Sequence, residues 1–318
     1  MSAARFRHRL EYAAVRAVRA FAGRAPKSVV LASGTALGRI FYYLDAPHRR
    51  LTLANLRTAF PHRPPSEVRR IGRDVFGHFG RLLVEVLRFS TLTHDQIRQA
   101  VEIEGAERVD QAHALGRGVL YITGHFGFWE IHALAHGLRF PSLAVVARAL
   151  DNPLLHDLLE QVRTATGNTV IYRKGGLRRI LRALADNQGV AVLIDQHIQA
   201  GDAVVVEFFD RPAATTSAVA ALALRTGAPV IPVFALPLPG GRYRLIYEHP
   251  VEPPAEDSSH GLSEFTQRCT DVLEMYVRRH PELWLWMHRR WRDLEELPAP
   301  PMFPSGSADD SHGLDGGS

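Results

Sequence analysis

From about residue 101 onward, short runs of β-branched and apolar residues alternate with stretches of helical periodicity. The clearest runs are "GVLYITG", "SLAVVAR", "NTVIYR", "GVAVLIDQ", "APVIPVFAL" and "RYRLIYEHP". This alternation predicts an α/β fold with a mixed, mostly parallel central sheet flanked by helices. The last two runs are joined by "PLPGGR", which predicts a hairpin and therefore one antiparallel pair of strands.

The first hundred residues lack such runs and predict an N-terminal helical region. Helices are expected over residues 27–43 and 49–60, and again from Ser66, which follows two prolines and is a candidate N-cap. We therefore divide the chain into a helical, membrane-associating region (1–100), an α/β core (101–297) and a tail (298–318). The tail is rich in Pro, Gly, Ser and Asp, a composition typical of disorder.

The first stretch, "ARFRHRLEYAAVRAVRAFAGR", spaces its apolar residues as a helix would. The stripe consists of Phe6, Leu10, Ala14, Val18 and Phe21. Many arginines and a single acid accompany it, which is typical of a helix that lies in a membrane interface among anionic headgroups. The alternative is a helix that packs on its own domain. No run reaches the roughly 18 apolar residues of a membrane span, so we expect peripheral attachment, and no signal peptide is expected.

The charge balance points to an anionic partner. The formal net charge is +5 and the isoelectric point about 9.6, which suits a nucleic acid, a membrane surface or an acidic carrier or substrate. We do not expect nucleic-acid binding, because the arginines have no interleaved aromatic platform and no recognised motif. The single cysteine, Cys269, excludes a disulfide framework and is interpreted as a packing residue.

The tetrapeptide "GHFG" occurs twice, in different surroundings. In "VFGHFGRLLVE", His78 and Glu85 lie on one amphipathic helical pattern, two turns and about 10 Å apart. They are too far apart for a direct hydrogen bond, and we interpret His78 as a helix-face residue. In "YITGHFGFWE", His125 instead follows a strand and a glycine directly. That is the place where functional residues gather in α/β sheets.

The second copy predicts a catalytic dyad. Positions five apart do not face each other on a helix, so His125 and Glu130 meet only if His125 lies on a turn before the helix, a geometry that Gly127 permits. The carboxylate would then orient the imidazole and support it as a general base. Because no nucleophile accompanies the pair, it suits direct acyl transfer to a substrate hydroxyl.

Several blocks of the chain resemble a known family. "GVLYITGHFGFWEIHAL" resembles the catalytic block of the lipid A biosynthesis acyltransferases, the lauroyl and myristoyl transferases within the glycerolipid acyltransferase superfamily. In order along residues 38–291, the other similar blocks are "GRIFYYLDAPHRRLTLANLRTAFP", "ARALDNPLLHDLLEQVR", "YRKGGLRRILRALADNQGVAVLIDQH", "VEFFDRPAATTSAVAALALRTGAPVIPVFAL" and "PELWLWMHRRWR". The resemblance implies a glycerolipid acyltransferase-like fold with His125 and Glu130 as the catalytic dyad.

Further residues are candidates for substrate binding. By the resemblance, Arg148 lies near the acceptor, where it could bind a phosphate or the developing oxyanion. Asn152 either binds substrate or shapes the turn before Pro153.

Asp195 and Gln196 follow another strand. Asp195 supports the dyad, binds an acceptor hydroxyl or caps a helix. Arg211 could contact a phosphate or the donor's carrier protein. Thr215 and Thr216, in the same block, could equally cap the helix that follows.

Two other groups complete the candidates. Lys174, with Arg173, adds positive potential to the acceptor site or forms a solvated turn. His132 and His136 have a spacing that can bind zinc, but no cysteine or carboxylate pattern joins them. We therefore expect neither a metal nor a cofactor.

The resemblance implies an acyltransferase that moves a fatty acyl chain from an acyl carrier protein thioester to a hydroxyl of a lipid A precursor, with a coenzyme A thioester as the alternative donor. The expected place is the cytoplasmic face of the inner membrane. Two alternatives remain at this point. One is an acyltransferase for another glycolipid, such as a phosphatidylinositol mannoside. The other is a non-catalytic lipid-binding relative.

Overall fold

The computed structural model describes residues 3–172, 175–198, 203–255 and 260–291. These residues form eleven α-helices and nine β-strands. The helices are α1 (Ala3–Arg24), α2 (Lys27–Leu44), α3 (Ala46–Ala59), α4 (Pro65–Phe89), α5 (His94–Ala100), α6 (Ala106–Ala114), α7 (Trp129–His136), α8 (Pro153–Thr164), α9 (Leu177–Ala185), α10 (Ala218–Thr226) and α11 (Gly261–Arg279). The strands are β1 (Val101–Glu104), β2 (Val119–Thr123), β3 (Leu143–Ala147), β4 (Thr169–Tyr172), β5 (Gly189–Leu193), β6 (Ala203–Glu207), β7 (Pro212–Thr216), β8 (Val230–Leu238) and β9 (Arg242–Tyr247).

Seven strands form one sheet in the order β1-β9-β8-β2-β5-β3-β4. Every neighbouring pair is parallel except β8 and β9, which form the expected antiparallel hairpin. The prediction of a mixed, mostly parallel sheet flanked by helices is confirmed. Because β2, β5 and β3 are parallel neighbours, their carboxyl ends open onto the same edge of the sheet.

Three details of the sequence interpretation need correction. The edge strand β1 and the separate β6–β7 hairpin were not foreseen. β7, "PAATT", begins with proline and is rich in alanine, so its propensity for strand is low. Helix α4 begins at Pro65 with Pro64 as its N-cap, because proline is pre-organised for the first helical position; Ser66 is not the cap. The tail (298–318) lies outside the described residues.

Helix α2 is continuous through Gly34 and Gly38, in agreement with the helix expected over residues 27–43. Both glycines face α4 at backbone contact. A Cβ at Gly38 would lie 1.9 Å from the carbonyl oxygen of Phe76, and one at Gly80 would lie 2.4 Å from that of Gly34. The missing side chains let the two helix backbones touch. The outer side of α2 exposes an apolar row with helical spacing, formed by Leu37, Ile40, Phe41 and Leu44.

Helix α1 turns its apolar stripe away from the protein. The side chains of Phe6 and Leu10 are each 63% exposed, and Val18 and Phe21 are exposed as well. The face that packs on the protein combines polar and apolar contacts: the Arg19 guanidinium donates to Ser90, and Ala22 is buried in a small cluster with Val30 and Val84. The structure therefore does not use the stripe for packing within the chain. Among the described residues, no helix is both long and apolar enough to cross a membrane.

We predict opposite outcomes for two alanine substitutions in the contact between α2 and α4. Gly38→Ala places a methyl group against backbone and should lower the free energy of unfolding by about 1–3 kcal/mol. Gly77→Ala is the matched control, because its Cβ would meet the Thr35 side chain at 3.3 Å, and alanine gains up to about 1 kcal/mol of helix propensity. Urea unfolding of both variants measures the difference. Equal stabilities would contradict the backbone contact.

Candidate active site

His125 lies on a non-helical turn between β2 and α7, at the carboxyl edge of the sheet. The turn needs glycine at position 127, where φ is +58° and a Cβ would lie 2.1 Å from the carbonyl oxygen of Ala235. The backbone N–H of Gly127 donates to the carbonyl oxygen of Leu283 at 2.9 Å. The turn is thus held by β8 on one side and by the C-terminal segment on the other.

Asp195 is the carboxylate that contacts His125. It lies just beyond the end of β5, the sheet neighbour of β2. The Nδ1 atom of His125 is 2.8 Å from Oδ1 of Asp195, and the backbone N–H of His125 donates to Oδ2 at 2.7 Å. Nε2 of His125 has no hydrogen-bond partner among the described residues, and the side chain is 20% exposed. The ring therefore directs Nδ1–H to the carboxylate and leaves Nε2 able to accept a proton.

The C-terminal segment (281–291) forms one wall of this site. The indole N–H of Trp284 donates to Oδ2 of Asp195 at 2.8 Å. The backbone N–H of Leu285 donates to the carbonyl oxygen of His125 at 3.1 Å, and Phe126 pairs with Trp284 in an isolated antiparallel bridge. The Nε2 atom of His288 lies 3.2 Å from the carbonyl oxygen of Asp195. This segment thus contacts both members of the pair.

The two side chains shift each other's pKa values. Burial disfavours the charged imidazole, but the carboxylate of Asp195 and its hydrogen bond, with a smaller contribution from Glu130, hold the pKa of His125 above its ordinary value. Burial also opposes ionisation of Asp195, yet the charge and hydrogen bonds of His125 hold the pKa of Asp195 well below its ordinary range. Asp195 is therefore ionised at neutral pH and stabilises an imidazolium at position 125.

Glu130 does not make the contact expected of it. It lies in the first turn of α7, as the sequence suggested, but its carboxylate pairs with Arg163 of α8. The Nη2 atom of Arg163 is 2.5 Å from Oε1 of Glu130, and Nε is 3.0 Å from Oε2. This bidentate pair is mostly buried and raises the pKa of Arg163 against the effect of burial. The geometry makes Asp195 the direct partner of His125, and Glu130 acts on the ring only through its charge.

The other candidate residues lie at different places. Arg148 and Gln196 are exposed at the carboxyl edge of the sheet, and Arg148 forms a 3.5 Å ion pair with Asp151. Arg211 is exposed on the β6–β7 hairpin with its guanidinium 5.8 Å from the Trp291 ring. Lys174 lies outside the described residues.

Asn152 is buried and joins α1 to the core. Its side-chain oxygen caps α8 by accepting from the N–H of Leu154. Its amide N–H₂ donates to the carbonyl oxygen of His8 and to Glu11. These contacts fit the turn-shaping alternative, because they engage both the oxygen and the nitrogen of the side chain within the protein.

The first GHFG copy touches the second. His78 and Glu85 lie on the continuous helix α4 and have separate partners, as expected. The Nε2–H group of His78 donates to the carbonyl oxygen of Gly127 at 3.2 Å, and burial lowers the pKa of His78 to about 4, so the ring is neutral. Glu85 is buried against Arg81 and Tyr243. His78 thus supports the turn that carries His125.

The remaining histidine pair is part of the core. His132 and His136 are buried on α7, and Nδ1 of His136 lies 2.9 Å from the hydroxyl of Tyr247. Burial lowers the pKa of His132 to about 3. Across the ranges that the structure describes, no group of three or more His, Cys, Asp or Glu side chains is arranged to hold a metal ion. Cys269 is buried in the core, and burial raises the pKa of its thiol to about 12.

The sequence interpretation gave no role to Trp284, His288 or Arg163. The only signal for Trp284 and His288 was the block "PELWLWMHRRWR", which resembled the family without pointing to any contact. Arg163 likewise ends a block that resembled the family, "ARALDNPLLHDLLEQVR", but the block did not indicate its contact with Glu130, which arises from the packing of α8 against α7.

We predict a pH-dependent stability difference between the wild type and Asp195→Asn. A raised His125 pKa contributes stability that is present below about pH 6.5 and is lost as the pH rises through the folded pKa. A lowered Asp195 pKa contributes stability above about pH 4 that is lost on acidification. The free energy of unfolding, measured in urea, should therefore differ more between the wild type and Asp195→Asn near pH 5.5 than near pH 9. Asp151→Asn, at a carboxylate that is 90% exposed, is the control. A pH-independent difference for Asp195→Asn would contradict the coupling.

Comparison with known proteins places this site in a family. The sequence model described as bacterial lipid A biosynthesis acyltransferase matches residues 3–293. The chain is 27% identical over 273 residues to the lipid A biosynthesis lauroyltransferase of Escherichia coli, covering 85% of this chain and 88% of that protein. It is also 27% identical over 225 residues to the phosphatidylinositol mannoside acyltransferase of Mycobacterium tuberculosis, covering 69% of each.

A solved structure gives a weaker match. The crystal structure of the 1-acyl-sn-glycerophosphate acyltransferase from Thermotoga maritima has a TM-score of 0.36 and 16% sequence identity, covering 79% of this chain and 97% of that one. The family model, by contrast, spans nearly the whole chain, from α1 to the C-terminal segment that holds Asp195. This protein is an acyltransferase, and it belongs to the bacterial lipid A biosynthesis acyltransferase family.

Proposed function

We propose that the protein transfers a fatty acyl chain from an acyl carrier protein thioester to a hydroxyl group of a lipid A precursor. The observation that carries this proposal is the His125–Asp195 pair, in which a buried carboxylate holds Nδ1 at 2.8 Å. Nε2 is left as the one ring nitrogen that can take a proton. No acyl-enzyme is needed, because the acceptor hydroxyl itself supplies the nucleophile.

In the proposed reaction, Nε2 of His125 removes the proton of the acceptor hydroxyl as its oxygen attacks the thioester carbonyl. The resulting imidazolium is stabilised by the Asp195 carboxylate, which stays ionised. Collapse of the tetrahedral intermediate breaks the carbon–sulfur bond, and the sulfur leaves with the proton from Nε2. General-base assistance of this kind contributes roughly 10² to 10⁴-fold to the rate.

Glu130 has a separate part in this proposal. It fixes Arg163 through two hydrogen bonds at 3.0 and 2.5 Å, close enough to His125 for both charges to affect the ring. We propose that the ion pair shapes the wall of the site beside the imidazole, and that the oxyanion is held by basic side chains or by backbone N–H groups near His125. The alternative role, in which Glu130 orients the ring directly, would require its carboxylate to leave Arg163.

The charge of the protein supports an acidic donor. The net charge is +5, and the edge of the sheet beyond β3 exposes Arg148. Acyl carrier proteins and phosphorylated glycolipids are both anionic, so the same edge suits the approach of either. The similarity to the Mycobacterium tuberculosis protein favours a second candidate acceptor, a phosphatidylinositol mannoside. The same chemistry at His125 would serve both acceptors.

We also propose that the protein binds the cytoplasmic face of the inner membrane through α1 and α2. The exposed stripe of α1 and the exposed row of α2 are apolar surfaces with helical spacing and no partner within the described residues. Arg7 and Arg24 are exposed on the same side of α1 as the stripe, where they would meet anionic headgroups. The acceptor lipid would then reach the site from the surface to which the protein is bound.

The experiment that tests the function uses a strain from which the gene has been deleted. Mass spectrometry of its lipid A should reveal one missing acyl chain, which wild-type protein restores and His125→Ala does not. With purified protein, Asp195→Asn should lower kcat by about 10² or more, because an uncharged partner no longer supports the imidazolium. We expect a smaller decrease in kcat for Glu130→Gln and for Arg163→Gln. The double variant should show the same decrease as either single variant, because both residues act through one ion pair.

Three outcomes contradict the proposal. Intact lipid A in the deletion strain would exclude this acceptor, and turnover with a phosphatidylinositol mannoside would then support the second candidate. Full activity of His125→Ala would exclude the general base. If Glu130→Gln lowered kcat more than Asp195→Asn does, Glu130 rather than Asp195 would be the residue that orients the His125 ring.

The membrane proposal predicts that α1 governs binding to lipid. Phe6→Ser with Leu10→Ser should weaken sedimentation with vesicles of phosphatidylethanolamine and phosphatidylglycerol by about tenfold or more, since two large apolar side chains no longer enter the interface. Leu115→Ser, at a leucine that is 58% exposed on another part of the chain, is the control and should leave binding unchanged. Equal binding by all three proteins would contradict attachment through α1.

A further inference from the structure

We propose that Trp284 is a positioning residue of the reaction, which fixes the rotation of the Asp195 carboxylate and, through it, the orientation of the His125 imidazole. The role rests on the proposed function, because it concerns the pair that would remove the acceptor proton. It adds Trp284 alone to the residues that act on His125, whereas the rest of the C-terminal segment keeps a structural part.

The hydrogen bonds of Asp195 carry this inference. Oδ1 faces the Nδ1–H group of His125, whereas Oδ2 accepts from both the backbone N–H of His125 at 2.7 Å and the indole N–H of Trp284 at 2.8 Å. The two contacts with His125 come from a single residue of a turn. Trp284 comes from a different segment, so it is the contact that ties the carboxylate to the rest of the protein.

The surroundings of Trp284 make this contact rigid. The indole is fully buried, and its ring lies 4.7 Å from that of Trp286, 5.3 Å from that of Phe208 and 5.1 Å from that of His288. Asp195 is only 1% exposed, so water has little access to Oδ2. Tryptophan is a donor only, which means that its N–H cannot reverse direction and that no other group replaces it if it is lost.

The charged groups around the pair act differently from Trp284. Asp195 is influenced by His125, His288 and Arg290, and His125 also by Glu130 and Arg163. The buried guanidinium of Arg290 donates to the carbonyl oxygen of Ala214 and to the hydroxyl of Thr215. Trp284 is instead a neutral donor on the carboxylate itself. It lowers the basicity of Asp195 without adding a charge, because a hydrogen bond to the ionised form favours that form.

The chain contains a matched control for removal of this one hydrogen bond. Trp286 is equally buried, and its indole N–H donates to the carbonyl oxygen of Pro281 at 2.7 Å, away from the carboxylate. Trp284→Phe and Trp286→Phe therefore each delete one indole N–H and the same ring volume from the same aromatic cluster. A purely structural role for tryptophan predicts similar effects, whereas positioning predicts an effect on His125 from Trp284→Phe alone.

The kinetic test measures turnover of the lauroyl thioester of acyl carrier protein with a lipid A precursor across pH. Trp284→Phe should lower kcat by about tenfold or more with little change in KM, because the base is misoriented after substrate has bound. The acid limb of the kcat–pH profile of Trp284→Phe should move to higher pH by about 0.5–1 unit. The reason is that a carboxylate with one donor fewer stabilises the imidazolium more strongly. Trp286→Phe should keep the wild-type kcat and acid limb.

A second readout needs no substrate. NMR titration of the His125 imidazole, assigned by its absence in His125→Gln, should give a higher pKa in Trp284→Phe than in the wild type and in Trp286→Phe. Equal titrations and equal kcat values for the two phenylalanine variants would overturn the proposal. If the wild type turns over no thioester, the proposed function fails, while the titration still decides the role of Trp284. If Trp284→Phe does not fold, Trp284→Gln, which keeps an N–H donor that stays neutral, must retain the wild-type titration.

Discussion

A single buried carboxylate joins the parts of this site. A charge that is removed from water is destabilising by several kcal/mol unless donors surround it, and Asp195 meets that requirement with three N–H groups. One donor is a backbone group of the turn after β2, one is the His125 ring, and one is the indole of Trp284. The register between β2 and β5 and the path of the C-terminal segment must both be correct before all three are in place. The fold and the chemistry thus depend on the same set of hydrogen bonds.

The sequence was sufficient for the class of fold and for the strand-end position of His125, but it favoured Glu130 as the partner of His125 and left Asp195 with three alternative roles. Alternating apolar runs predicted the sheet, and the strand–glycine–histidine order placed His125 at a strand end. The partner depends on which strand lies beside β2, and nothing in the alternation specifies that β5 does. Glu130 was favoured because it is near in sequence, whereas its carboxylate is taken by Arg163, which α8 brings from a distant part of the chain.

Two other sequence patterns predicted the local structure correctly but did not predict which parts of the protein the residues contact. The apolar stripe of α1 was predicted residue by residue, but a stripe does not specify whether it faces the protein or leaves it, and here it faces outward. The repeated GHFG likewise carried no information about contact. The first copy places a neutral imidazole against the backbone of the second. Burial and tertiary contact, rather than the tetrapeptide, decide which histidine is poised to take a proton.

The C-terminal segment also has a consequence for the order in which the site is assembled. A ribosome makes His125 first, then Asp195, and then the residues from Leu283 to Leu285. Until those last residues emerge, the turn at Gly127 lacks its acceptor and the carboxylate lacks the indole. A nascent chain can thus complete its seven-stranded sheet while the His125–Asp195 pair is still unsupported. Synthesis of residues 283–285 is therefore the step that completes the hydrogen bonds of this site.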